Sequence, residues 1–277
     1  MTGTLYLCDL DGTLLGGDGR LSDYARETVN GLIASGVRIS IATARSLISL
    51  RRVAGELHLA EPVVVYGGAF VVDPMTGEHL VENVIAPSLV RRILDVCDRL
   101  RIQPLVYSLS GDSDTVAWRS GDESAGIRWY IDDRAGDPRF RPVPADDALP
   151  RAGVFSLSVI GGEAELAAAA RILLAELAGE IAVTLQEETY EAGLFWLEIG
   201  APASTKGHGV EVLRSLTGVE RVVCFGDNRN DLAMFAASDE SYAVANALPE
   251  VRAAATAVIA SNLDDGVARW LAAADAR

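Results

Sequence analysis

The strongest constraint on this chain is that strand and helix signals alternate at both ends but not in the middle. Leu5-Tyr6-Leu7-Cys8 is a β-prone run that ends at Asp9. From Ser22, an N-cap residue type, apolar Ala25, Val29, Leu32 and Ile33 recur at helical spacing, and Gly36 suits the position that ends the helix. Val37, Ile39 and Ile41 alternate with Arg38 and Ser40, which predicts a strand ending near Thr43. A second helical stretch leads to Pro62-Val-Val-Val-Tyr66, a buried-strand run stopped by Gly67-Gly68. Strand, helix, strand, helix, strand predicts βαβ units and a parallel sheet.

The last seventy or so residues resume that pattern. Val222-Val-Cys-Phe225 predicts a strand ending at Gly226-Asp227, and Tyr242–Ala245 and Ala257–Ala260 predict two more. Pro249 suits the first turn of a helix, and Asn262 is expected to cap a final helix with Asp264 and Asp265 in its first turn. Between about Val84 and Gly200 the signals differ. A helix from Ser88 to about Leu100 and an alanine-rich one from Glu163 to Leu177 accompany strands at Val154–Ile160 and Leu194–Ile199, expected to pair antiparallel. The Gly/Asp/Arg/Pro-rich stretch from Gly121 to Pro150 reads as loop. The middle therefore reads as an insertion inside a parallel-sheet domain.

Composition narrows the function. Acidic residues exceed basic ones by 39 − 24 = 15, which argues against nucleic acid or an anionic membrane as a partner. An anionic substrate remains compatible, because a bound cation can reverse the local field. Cys8, Cys97 and Cys224 are too few and scattered for a disulfide framework or a zinc site, so a reducing, cytoplasmic setting is expected. The opening residues lack the basic start and apolar stretch of an export signal, and nowhere do eighteen apolar residues run together.

In an open α/β sheet, ligands bind beyond the carboxyl ends of the strands. Those ends here carry Asp9-Leu-Asp11-Gly-Thr13, Thr43, and Asp227 with Asn230 and Asp231, while Lys206 starts the helix leading into the last of these strands. Carboxylates crowded together need a hard cation, and oxygen-only ligands select Mg²⁺. Mg²⁺ and Lys206 together suit a phosphate group. Gly12 lets the chain turn so that Asp9 and Asp11 address different parts of one substrate. One carboxylate can attack phosphorus while the other handles the leaving-group proton.

Asp9-Leu-Asp11-Gly-Thr13, Thr43-Ala44-Arg45, Lys206 and Gly226-Asp227-Asn-Arg-Asn230-Asp231 resemble the four motifs of the haloacid dehalogenase superfamily. The Cof-type hydrolases, with a cap between motifs two and three, match best, and Ala243-Val-Ala-Asn246-Ala and Asp264-Asp-Gly-Val-Ala268 resemble that branch too. The resemblance implies a doubly wound α/β core from residues 1–83 and 201–277, with an α+β substrate-specificity cap at 84–200. It implies Asp9 as nucleophile and Asp11 as acid/base. Mg²⁺ would be held by Asp9, Asp227 and the Asp11 main-chain carbonyl, and the phosphoryl group by Thr43, Ala44, Lys206 and Asn230.

Several residues carry two readings. Asp231 and Asn230 touch metal or water, or Asp231 orients Lys206 or caps a helix. Arg45 supports the site or forms a surface ion pair. Trp118, Trp129, Trp196 and the arginines from Arg119 to Arg141 are expected in cap packing and loop rather than in a substrate pocket. Ala44 stands where the family has Gly, and Gly67 where it often has Asn. The function expected is a Mg²⁺-dependent phosphomonoester hydrolase acting on a small phosphorylated metabolite through an aspartyl-phosphate. A phosphomutase of the same fold and a silent phospho-ligand-binding regulator are the alternatives. Oligomeric state is not legible.

Overall fold

The computed structural model describes residues 3–110, 113–121, 123–188 and 191–275. In chain order it begins β1 (Thr4–Cys8), α1 (Asp23–Ala34), β2 (Arg38–Ile41), α2 (Leu47–Ala54), β3 (Val63–Val65), β4 (Phe70–Val72) and β5 (His79–Glu82). There follow α3 (Pro87–Leu100), β6 (Leu105–Ser110), β7 (Ser113–Arg119), α4 (Ala125–Asp133), β8 (Phe140–Val143), β9 (Val154–Gly161), α5 (Glu163–Glu176), β10 (Ala182–Glu187) and β11 (Phe195–Gly200). The last stretch holds α6 (Lys206–Thr217), β12 (Arg221–Gly226), α7 (Leu232–Ala237), β13 (Glu240–Val244), α8 (Pro249–Ala254), β14 (Ala257–Ile259) and α9 (Gly266–Asp275). None of the described helices is long and apolar enough to cross a membrane.

Two compact units result, one from residues up to Glu82 together with those from Ser204 onward, the other from Asn83 to Ala203. In the first, the sheet order is β14-β13-β12-β1-β2, and all these pairs are parallel. The chain runs outward from β1 through β2, then returns to place β12 on the other side of β1. The order therefore reverses between β1 and β12, which is where an open α/β sheet forms its crevice. Leu5, Leu7 and Cys8 of β1 and Val222, Cys224 and Phe225 of β12 are fully buried, as strands covered on both faces require.

Ser40 is buried, its hydroxyl donating to Pro62 O at 2.6 Å in a strand covered on both faces. Two local expectations are corrected. β3 joins the parallel sheet only through an isolated bridge, Ala42 to Val64, and otherwise pairs antiparallel with β4. At the C-terminal end, Ser261 rather than Asn262 caps a short 3-10 turn, Asn262–Asp264, and Asp265 takes a left-handed φ of 55° before α9 begins. A Cβ at Gly266 would lie 1.9 Å from Ala260 O, so α9 can start there only with glycine. Asn262 is free to donate to Leu15 O at 2.9 Å.

The second unit is a six-stranded sheet, β10-β11-β9-β6-β7-β8, antiparallel except for the β7–β8 pair. Val90, Ile93 and Val96 of α3 and Leu166, Ala169 and Leu173 of α5 share a core with Val106, Leu157, Leu197 and Ile199 of the sheet. The stretch from Gly121 to Pro150 is not all loop. Ser124 caps α4 by accepting from Ile127 N, and Ile127 and Tyr130 bury one face of that helix. Arg139 secures the following turn through Asp137 at 2.6 Å and Asp114 at 3.1 Å. Trp118 packs edge-on against Phe140, Trp129 against Trp196, and the Arg134 guanidinium lies 4.5 Å from the Tyr130 ring centre.

Candidate active site

The Asp9 amide donates to Phe225 O at 3.0 Å, which extends the β1–β12 ladder by one residue and fixes where the Asp9 side chain leaves the sheet. The chain then turns through Leu10–Leu14, closed by Leu15 N to Leu10 O at 2.9 Å. Gly12 has φ 77°, and a Cβ there would fall 2.4 Å from Asp227 Oδ2. Both the conformation and the approach of Asp227 therefore demand glycine.

Asp227 follows β12. Its Oδ1 accepts from the Thr13 hydroxyl at 2.9 Å, a partner that the motif contained but that received no role from sequence. Asp231 Oδ2 accepts from the amides of Asp227 at 2.9 Å and Asn228 at 3.0 Å, while its Oδ1 accepts from Lys206 Nζ at 2.7 Å. Asp231 thus both orients Lys206 and caps the turn after β12. Lys206, first residue of α6 after the Thr205 cap, is 1% exposed and also donates to Asp9 Oδ1 at 2.6 Å.

These groups form one electrostatic unit. Oxygens of Asp9, Asp227 and Asp231 lie within 4.8 Å of one another. Burial pushes the Asp9 carboxyl up to about 7 against the pull of Lys206, with Asp231 adding to the rise. Burial, then Asp9 and Asp231, push Asp227 up to about 9. Burial disfavours the Lys206 ammonium, yet Asp231 and Asp9 outweigh it and raise its pKa. Three carboxyl groups face one ammonium, so ionising all three would leave negative charge in excess where water is scarce, and without a cation, burial holds protons on Asp9 and Asp227 instead. Asn230 Oδ1, beside Asp231, is buried without a hydrogen-bond partner among the described residues. A set of hard oxygen donors with surplus charge and an orphaned carbonyl oxygen fits a small divalent cation such as Mg²⁺.

Thr43 is fully buried at the end of β2, held by its amide to Val64 O and by Gly67 N to its carbonyl, both at 2.9 Å. The Tyr66–Gly68 loop therefore braces Thr43 through backbone, with Gly67 needing no side chain for it. Ala44 is not among the non-glycine residues of positive φ, so a side chain is tolerated where the family has glycine. Arg45 pairs with Asp11 through two bonds, Nε to Oδ2 at 2.7 Å and Nη2 to Oδ1 at 2.6 Å, and donates to Ser49 Oγ at 3.0 Å. The structure thus gathers Asp9, Asp227, Asp231 and Lys206 directly, and ties the Asp11 carboxylate to Arg45.

A family model described as haloacid dehalogenase-like hydrolase matches residues 6–271. A 5-amino-6-(5-phospho-D-ribitylamino)uracil phosphatase of Bacillus subtilis is 27% identical over 271 residues, covering 96% of each chain. An HMP-PP phosphatase of Cronobacter sakazakii is 24% identical over 255 residues, 88% of this chain and 85% of that one. A haloacid dehalogenase-like hydrolase from Bacteroides thetaiotaomicron shares the fold with a TM-score of 0.79 at 23% identity, over 98% of this chain and 99% of the other. With the carboxylates at the carboxyl ends of β1 and β12 and a match over nearly its whole length, the chain belongs to the haloacid dehalogenase-like hydrolases.

Proposed function

We propose that this enzyme, a phosphatase like its named relatives, is a Mg²⁺-dependent phosphomonoester hydrolase that acts on a small phosphorylated metabolite through an aspartyl-phosphate on Asp9. The observation that carries the reading is the buried Asp9 carboxylate, held by Lys206 at 2.6 Å beside Asp227 and Asp231. An Asp9 oxygen attacks phosphorus, the bond to the leaving group breaks, and the departing oxygen takes a proton from Asp11. Asp11, now a carboxylate, accepts a proton from water as the water oxygen attacks the same phosphorus. The bond from phosphorus to Asp9 breaks and phosphate leaves, with both side chains restored. Lys206 and the Thr43 hydroxyl bind phosphoryl oxygens, with Ala44 and Asn230 beside them. Asp9, Asp227 and the Asp11 main-chain carbonyl would hold Mg²⁺, which would offset the charge on the phosphoryl group.

Substrate choice is assigned to the inserted segment, residues 84–200. That assignment is supported by its place between the two core segments and by its own hydrophobic core. The relatives bearing phosphatase names for a phosphoribitylamino-uracil and for HMP-PP support a small phosphorylated metabolite as the substrate class.

The test separates the two aspartates. With p-nitrophenyl phosphate and Mg²⁺, Asp9→Asn should form neither phosphoenzyme nor free phosphate. Asp11→Asn should lose on the order of 10²–10⁴-fold in turnover, the usual worth of acid–base catalysis, and accumulate a hydroxylamine-sensitive acyl phosphate. Mass spectrometry should place that label on Asp9. A label on another residue, or phosphoenzyme in Asp9→Asn, would overturn the roles.

A further inference from the structure

We propose that Asn246 is a positioning residue that holds the Leu10–Leu14 turn in the geometry Asp11 needs to deliver its proton, an inference that rests on the acid/base role given to Asp11 above. The observation is a chain of bonds from the C-terminal segment onto this turn. Asn246 Nδ2 donates to Gly12 O at 2.7 Å, and its Oδ1 accepts from Asn262 N at 3.0 Å and from the Ser261 hydroxyl at 3.3 Å. Asn262 in turn donates through Nδ2 to Leu15 O at 2.9 Å. The turn is thus gripped at Gly12 and at Leu15 by two asparagines that are themselves bonded together.

Gly12 is where such a grip matters. Its peptide follows Asp11 directly and precedes Thr13, whose hydroxyl holds Asp227 Oδ1. Its backbone, at φ 77° and ψ −4°, has the widest conformational freedom of any residue in the turn. Rotation of that peptide would carry Asp11 and Thr13 with it. The described backbone bonds give the Gly12 carbonyl no main-chain donor, whereas Asn246 supplies one from 234 positions away. With three partners, the carboxamide is fixed with its nitrogen toward Gly12, since only that end can donate to a carbonyl.

Removing the grip should harm proton delivery more than phosphoryl binding, because Lys206 and Thr43 are held by other elements. The experiment compares p-nitrophenyl phosphate, whose leaving group needs little help, with phenyl phosphate, whose leaving group is a stronger base. Asn246→Ala should slow the leaving-group step, read as phosphoenzyme formation in a single turnover, by roughly 10–100-fold on phenyl phosphate, the scale of a small misplacement of a catalytic group. It should slow that step on p-nitrophenyl phosphate several times less, with the affinity for each ester changed by no more than about twofold. Asn246→Asp, which puts an oxygen without a proton against the Gly12 carbonyl, should show the same selective loss at least as strongly. Ser22→Ala, a destabilised control outside the site, should keep both activities. Equal losses on the two esters, or losses that merely follow melting temperature across the three variants, would overturn the proposal. Asp11→Asn run alongside separates it from the reading beneath it. If that variant also fails to discriminate between the esters in the rate of phosphoenzyme formation, the acid role of Asp11 falls. If it discriminates and Asn246→Ala does not, only the positioning role falls.

Discussion

Asp9 and Asp227 keep their protons to about 7 and about 9 because burial and neighbouring carboxylates penalise ionisation. An unfolded carboxyl loses its proton near 4, so the folded metal-free protein holds extra protons between roughly pH 4 and 9. A raised folded pKa gives stability that is fully present below the unfolded value and is lost as pH rises through the folded one. Metal-free protein should therefore lose stability toward pH 9. Mg²⁺ requires the ionised forms and releases those protons, so its stabilising effect should grow over the same range. Melting curves in Mg²⁺ against EDTA should separate more widely at pH 9 than at pH 6, and p-nitrophenyl phosphatase activity should vanish in EDTA and return with Mg²⁺. A separation that is flat or shrinks with pH would count against a cation among these carboxylates.

In the first unit a helix cap also joins two helices. Ser22 accepts from Ala25 N at 2.9 Å as the cap of α1, and its hydroxyl donates to Asp265 Oδ1 at 2.6 Å, just ahead of α9. One side chain therefore starts α1 and ties it to the turn that starts α9. Loss of a serine cap costs about 1 kcal/mol, and leaving the Asp265 carboxylate unpaired adds to it. Ser22→Ala should lower stability by about 1–2 kcal/mol in a denaturant titration. Because both side chains serve one bond, Asp265→Ala in the Ser22→Ala background should cost less than it does alone. Strict additivity would mean that the Ser22–Asp265 bond contributes nothing.

At the scale of the whole molecule, the chain builds two cores that are interleaved in sequence. The core formed by α3, α5 and their sheet uses residues from Ile85 to Ala201 alone. That stretch is continuous, within the size range of independently folding domains. A polypeptide of residues 83–203 should therefore fold cooperatively on its own, with dispersed amide resonances and a single melting transition. The other core draws β1 and β12 from opposite ends of the chain, so residues 1–82 alone should stay unfolded, because β1 lacks its inner neighbour. A folded 1–82 fragment or a collapsed 83–203 fragment would contradict this division.

The αβ grammar at the two ends, the strand-end positions of Asp9, Thr43 and Asp227, and the Lys206 start of α6 all follow from local pattern. Burial of consecutive apolar residues and helix capping act over a few neighbours, and those neighbours are adjacent in sequence. The α4 helix was hidden because it is only nine residues long and buries just Gly126, Ile127 and Tyr130, too short a stripe for a helical period to stand out. The start of α9 was hidden because it depends on Ala260 O crowding position 266. What local pattern could not supply is partnership across the chain. Arg45 closes on Asp11 from 34 residues away, Asp231 grips Lys206 from 25, and Thr13 and Asn246 reach their partners across more than 200. Motif spacing named which residues meet at the carboxyl ends of β1 and β12, since each strand carries its end residue there. Which oxygen accepts from which donor depends on the register of β1 with β12 and the angle at which α6 and the C-terminal turn arrive. Tertiary packing alone decides those.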